Sequence, residues 1–115
     1  MTLFEWLLVG HLVGDYLLQN RWMAVKKGTQ WSPLLTHAAV YTLTVYLLSI
    51  LAGGISWSGI VLIFCAHVIL DRREFVAFWT RYVTGSTAPW LAIMVDQTWH
   101  IVVLAIVVLL TAANS

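Results

Sequence analysis

Charge is what this chain has least of. Only 10% of its 115 residues are Asp, Glu, Lys or Arg, against 61% hydrophobic, whereas a soluble domain carries about 25% charged residues. So few polar side chains cannot cover a water-exposed globule of this size, and the composition is that of a single membrane domain spanning residues 1–115. Cysteine is nearly absent. Cys65 stands alone, which excludes an intrachain disulfide and any Cys-based metal site. No basic segment precedes the first apolar run, which itself carries His11 and Asp15, so a cleaved signal peptide is not expected. With six Lys and Arg against five acids, no nucleic-acid partner is expected either.

The basic residues are also missing from particular places. Arg21, Lys26 and Lys27 fall in one stretch, Arg72, Arg73 and Arg81 in another, and none lies between residues 28 and 71 or after 81. Apolar runs fill the gaps. Helix 1 is expected from near Thr2 through Leu18 into Gln19, Asn20 and Arg21, stopping before Gly28; helix 2 from Ser32 and Pro33, an N-cap and first-turn proline, to Ala52; helix 3 from Ser56–Ser58 to Leu70, with an amphipathic continuation to Tyr82; helix 4 from Pro89 to about Leu110. Gly53, Gly54 and Gly85 punctuate them. The fold expected is all-α, an integral membrane four-helix bundle running up-down-up-down. By the positive-inside rule the connections between helices 1 and 2 and between helices 3 and 4 are cytoplasmic and both termini lie outside. Trp22, Trp31, Trp79 and Trp90 would mark the cytoplasmic interface, with Trp6 and Trp57 opposite.

What polarity the chain has is concentrated. Every Asp has a His four residues away: His11 with Asp15, His67 with Asp71, and in reverse order Asp96 with His100. Chance supplies all three matches roughly a few times in ten thousand. Residues four apart share a helical face, and in an up-down-up-down bundle the reversed third pair brings Asp15, Asp71 and Asp96 into one layer. His11, His67 and His100 would lie about 6 Å deeper at about 1.5 Å per residue, and His37 near the carboxylates. Small residues assist: Gly10 and Gly14 beside the first pair, and Ala38, Ala39 and Ala66 beside others, allow close backbone approach. A weak repeat underlies the pattern, since His11 and His67 each precede an Asp by four residues and a proline by 22, as two duplicated helical hairpins would.

Carboxylates and imidazoles in hydrocarbon need a partner, because even low insertion scales put a central Asp at about 2.5–3.5 kcal/mol. A divalent metal is the simplest one. Nitrogen and oxygen donors without thiolate suit Zn, Mn or Fe, and one-turn pairs on facing helices are how bundles build two-metal sites. Three carboxylates leave a single divalent ion at net minus one; two ions reach plus one, which a hydroxide cancels. The expected ligands are His11, Asp15, His37, His67, Asp71, Asp96 and His100, with Asp15, Asp71 and Asp96 catalytic. Gln19 and Gln97 adjoin them as supporting groups, while Tyr41 reads as packing and the basic clusters as topology determinants and headgroup contacts.

The segments from His11 to Gln19, Leu34 to His37, His67 to Asp71 and Asp96 to His100 resemble an uncharacterised family of small bacterial and phage membrane proteins, domain of unknown function 3307. That family is distantly similar to the predicted membrane-bound metal-dependent hydrolases. The resemblance implies a bacterial inner (cytoplasmic) membrane protein with a metal-dependent hydrolase centre. The site's depth suits a lipid or lipid-linked phosphoester, with two ions stabilising the attacking and leaving oxygens. Membrane lipids are the expected surroundings, and oligomers are compatible. The alternatives are a cation or proton transfer site, a redox di-iron centre, and a structural or partner-binding bundle without catalysis.

Overall fold

A computed structural model of the chain describes residues 1–72 and 74–113; Arg73, one of the basic residues above, lies outside them. Among the described residues all regular structure is helical: α1 (Leu3–Leu12) extended by a π-helical turn (Val13–Leu17), α2 (Arg21–Lys26), α3 (Trp31–Ser49) with a 3-10 turn to Ala52, α4 (Trp57–Asp71), α5 (Glu74–Trp79) extended by a second π turn (Thr80–Thr84), and α6 (Pro89–Ala113). Long, short and long helices thus alternate in each half of the chain.

Local chemistry explains most of the boundaries. Thr2 and Glu5 form a reciprocal capping box on α1, Asn20 Oδ1 accepts from the Met23 amide at the head of α2, and Ser56 Oγ accepts from the Gly59 amide at the head of α4, each satisfying a first-turn donor. Gly53, Gly54 and Gly85 take φ of 98°, 84° and 68°, the left-handed region that stops a helix with little penalty for glycine. Two expectations are corrected. The first helix does not run on toward Gly28, because Asn20 caps a new helix and breaks it there. Helix α3 begins at Trp31 rather than after a Ser32 cap, with Gln30 at the N-cap and Pro33 inside the first turn, where its missing N–H removes no hydrogen bond.

The longer helices close on one another: α1 packs against α3 and α6, and α4 against α3 and α6, while α2 lies on α3 and α5 on α4 and α6. Glycine sets two of these approaches. A Cβ on Gly10 would fall 2.9 Å from Val45 Cα, and one on Gly59 would fall 2.9 Å from Val107 Cγ1. Leu7, Tyr41, Val45, Ile63, Leu104 and Val107, from all four longer helices, form one buried apolar cluster. It sits on the side of the His/Asp positions away from the basic residues, so the site is dry on that side.

Among the described residues two helices are long and apolar enough to cross a membrane, Trp31–Ala52 with mean hydropathy 1.7 and Pro89–Ala113 with 2.1; α4 is apolar but shorter. The outward faces are apolar, with Leu43, Leu47, Ile69, Ile93, Ile106 and Leu109 exposed, while His11, Asp15, His37, His67, Asp71 and His100 are buried.

Gly10→Ala should weaken the fold. Alanine gains about 1 kcal/mol of helix propensity, but its methyl meets α3 backbone that cannot swing aside, and overpacking costs about 1–3 kcal/mol. Thermal unfolding in detergent should show a lower midpoint for Gly10→Ala; an unchanged or higher midpoint would contradict the close α1–α3 approach.

Candidate metal centre

The buried stripe of α3, Leu34, His37, Ala38, Tyr41 and Val45, follows helical spacing and turns His37 inward with Tyr41 one turn beyond it. Asp71 is the last residue of α4, and Asp15 lies in the π turn that ends α1. Both carboxylates are therefore at the carboxyl ends of helices, where the macrodipole disfavours negative charge by about 0.3–1 kcal/mol. They have been carried to the place where the helices themselves repel them, which increases the need for positive charge.

Four side chains meet there. His37 Nε2 is 3.1 Å from Asp15 Oδ1 and 3.3 Å from Asp71 Oδ2; His67 Nε2 is 2.8 Å from Asp71 Oδ2 and 3.8 Å from Asp15 Oδ1. The carboxylates and imidazoles do not form layers a turn apart as the backbone spacing suggested, because the long imidazoles span the rise. A tetrahedral ion with bonds of about 2.0–2.2 Å holds its donors about 3.3–3.5 Å apart, which is the spacing these atoms bracket. Asp71, Asp96 and His100 form a second group of donors within 4.8 Å of one another, with His100 Nε2 3.6 Å from Asp71 Oδ1. Asp71 belongs to both groups: Oδ2 faces His37 and His67, and Oδ1 faces His100.

His37 Nε2 hydrogen-bonds Asp15 Oδ1 at 3.1 Å, while other atoms of the two groups are left without a hydrogen bond. His67 Nε2, His100 Nε2 and Asp71 Oδ2 are buried without a hydrogen bond, although Asp71 Oδ2 lies in ion-pair contact with Lys27, His37 and His67. Buried polar atoms in folded proteins are nearly always paired, and an orphan costs about 1–3 kcal/mol. His100 shows how its ligand atom is freed. Its Nδ1 lies 2.7 Å from the Asp96 carbonyl oxygen, which can only accept, so Nδ1 carries the proton and Nε2 presents a lone pair, the arrangement typical of metal-bound imidazole. These residues fit a divalent cation.

His11 stands apart from both groups. Its Nε2 is 2.7 Å from Gln97 Oε1 and its Nδ1 2.7 Å from Tyr41 Oη, while the Asp15 carboxylate is 3.7 Å away. The carbonyl of Gln97 must accept, so Nε2–H donates to it and the Tyr41 hydroxyl donates to Nδ1. Gln97 Nε2 in turn donates to Asp96 Oδ2 at 3.3 Å. A directed chain thus runs from Tyr41 through His11 and Gln97 to a carboxylate of the second group. Gln19 supports the first, donating to the Asp15 carbonyl at 3.2 Å.

Two further residues join the site that the sequence reading left out. Tyr41, read as packing, supplies that hydroxyl and stacks on His67 with ring centroids 4.0 Å apart; its place one turn after His37 was the available signal. Lys27, read as a topology determinant, puts Nζ 3.1 Å from Asp71 Oδ2 with its side chain largely buried. Nothing in the spacing singled it out from Lys26. Lys27, Asp71 and Asp96 form the polar floor of a cleft of about 470 Å³ whose walls come from α5, the second π turn and the start of α6.

Tyr41→Phe keeps the ring stack and removes the donor to His11 Nδ1. Stability should fall by about 1–3 kcal/mol, measured by thermal unfolding, because the imidazole is left with a buried acceptor unpaired; no loss would contradict the directed chain.

Comparison with known proteins gives one result. No curated protein and no solved structure shows a significant match to the chain. Residues 3–115 match the model of a family described as a protein of unknown function, DUF3307. Since that match spans nearly the whole sequence, the chain belongs to the DUF3307 family.

Proposed function

We propose that the chain is a multi-pass protein of the bacterial inner membrane, a four-helix bundle with both termini outside, and that its His/Asp groups form a two-ion centre hydrolysing a phosphoester of a lipid or lipid-linked substrate. The observation that carries the site reading is Asp71, whose two oxygens each face a separate set of buried imidazoles, as a carboxylate bridging two cations does. What supports the membrane reading is the inverted distribution of polarity. Helix α6, with mean hydropathy 2.1, is only 17% buried over its most apolar window, so it is not the core helix of a soluble domain, and its outward face needs hydrocarbon. The first helix with its π turn, and α4, each rise about 22 Å, short of a bilayer core of about 30 Å. The short helices α2 and α5 then lie across the basic end, at the headgroup level.

Charge adds to the argument for a phosphoester. Three carboxylates and Lys27 sum to minus two, so two divalent ions bring the centre to plus two. A hydroxide and a phosphodiester anion together cancel that, whereas a neutral substrate would leave net charge in a low-dielectric site. Divalent ions there would supply Lewis acidity and make water nucleophilic near neutral pH. The residues do the rest. Asp15, His37 and His67 would hold one ion, Asp96 and His100 the other, and Asp71 both. Asp96, half-buried at the cleft floor and held by Gln97, is placed to accept a proton from water entering there. The apolar cluster of Leu7, Val45, Ile63 and Leu104 closes the opposite side, which weighs against a path for cation transfer.

Metal analysis tests this reading. Purified protein never exposed to chelator should carry about two divalent ions per chain. Asp71→Ala should lose both, Asp96→Ala one and His11→Ala none; wild-type metal content in Asp71→Ala would overturn it. Metal that binds only the folded chain stabilises it by about 2.7 kcal/mol at a hundred times its Kd, so chelation should lower the unfolding midpoint by several degrees. Once turnover is found, the Asp15→Ala plus Asp71→Ala double variant should lack it.

A further inference from the structure

The cleft over Asp71 and Asp96 differs from the rest of the surface in having a charged floor and apolar walls. Among the described residues Lys27 is the only basic one that lines it, and it reaches in from the end of α2 to the carboxylate group. The walls are Val76 and Ala77 on α5, Thr80 on the π turn, and Ala92 and Ile93 on α6. The small side chains of Ala77 and Ala92 leave a slot that larger ones would narrow. On the elements that wall the cleft, Phe78 of α5, Tyr82 of the π turn, and Trp90 and Ile93 of α6 are exposed, Trp90 by 66% and Ile93 by 60%. Tyr and Trp at such a position belong to the boundary between hydrocarbon and headgroups. The cleft lies between α5 with its π turn and the start of α6.

We infer that the cleft is a lateral berth for a membrane lipid bearing a phosphate group, entered from the bilayer between α5 and α6. The phosphate lies at Lys27 above Asp71 and Asp96, and the first part of its hydrocarbon chain lies between Ala77 and Ala92. Lys27 is paired with Asp71 when no phosphate is present, and the incoming anion supplies its second partner. The cleft's volume, about 470 Å³, is within the usual range for small-molecule sites. This inference rests on the phosphoester reading above, and it adds the source of the substrate, its route, and the residues that select it.

The test uses the full chain purified in detergent, with native mass spectrometry reading bound lipid and elemental analysis reading metal in the same samples. Three probes separate the contributions: dioleoyl phosphatidic acid, dioleoylglycerol without the phosphate, and glycerol 3-phosphate without the chains. Wild type should retain phosphatidic acid and neither of the others. Ala77→Phe, which fills the slot, should reduce retention at least about tenfold with metal content unchanged, and Lys27→Gln, which removes the charge, should also reduce retention at least about tenfold. Helical circular dichroism reports folding, and Lys27→Gln keeps the test decisive if Ala77→Phe does not fold. Equal retention in wild type and Lys27→Gln, stronger retention of glycerol 3-phosphate, or no retained phosphatidic acid in a metal-loaded wild type would each overturn the lateral berth while leaving the metal centre standing. Absence of metal with cleft-dependent retention would instead overturn the hydrolase reading and leave the berth.

Discussion

The structure depends on neutralising the Asp71 carboxylate. It is buried at the carboxyl end of α4, where desolvation, the helix dipole and two neighbouring carboxylates all oppose its charge. Lys27 supplies one positive charge at 3.1 Å, which cannot balance three acids. The imidazoles of His37, His67 and His100 gather around it from three helices, with His67 Nε2 and His100 Nε2 left without a hydrogen bond, an arrangement that could hold a divalent cation.

The rest of the fold follows from holding those groups together in an apolar interior. Glycine at positions 10 and 59 lets the paired helices approach closely, and the apolar cluster beyond Tyr41 seals one side. The other side is where regularity breaks. The π turn that carries Asp15 and the second π turn beside the cleft both interrupt helices close to the polar groups, as such turns often do at functional sites. Short helices α2 and α5 fold over this end, bringing Lys27 and Ala77 to the cleft. The directed chain from Tyr41 through His11 to Gln97 and Asp96 then fixes one carboxylate in orientation without using its histidine as a donor to the ion.

Much of this was readable in the sequence because helical periodicity is local. Asp and His four residues apart share a face whatever surrounds them, so Asp15, His37, His67, Asp71, Asp96 and His100 could be grouped, and Gly53, Gly54 and Gly85 placed as stops, from spacing and backbone chemistry alone. What was not readable depends on neighbours distant in sequence. His11 has the same spacing to its Asp as His67 has, yet Tyr41 and Gln97 occupy both of its nitrogens, a fact set by how α1 meets α3 and α6. Lys27 and Lys26 are equivalent by composition; only the path of the chain after Asn20 sends Lys27 inward. The π turns have no sequence signal of their own, being register shifts imposed by packing. The break at Asn20 did have one, a capping residue three positions before Met23, outweighed in the reading by the apolar run before it.

The central claim is that imidazoles and carboxylates from separate helices share cations through Asp71. X-ray absorption at the edge of the metal carried by the purified protein addresses it most directly. The account predicts a first shell of nitrogen and oxygen only, at about 2.0–2.2 Å, the outer-shell scattering of coordinated imidazole, and a second metal at about 3.5–4 Å. A sulfur shell, or a hydrated ion without imidazole scattering, would contradict it.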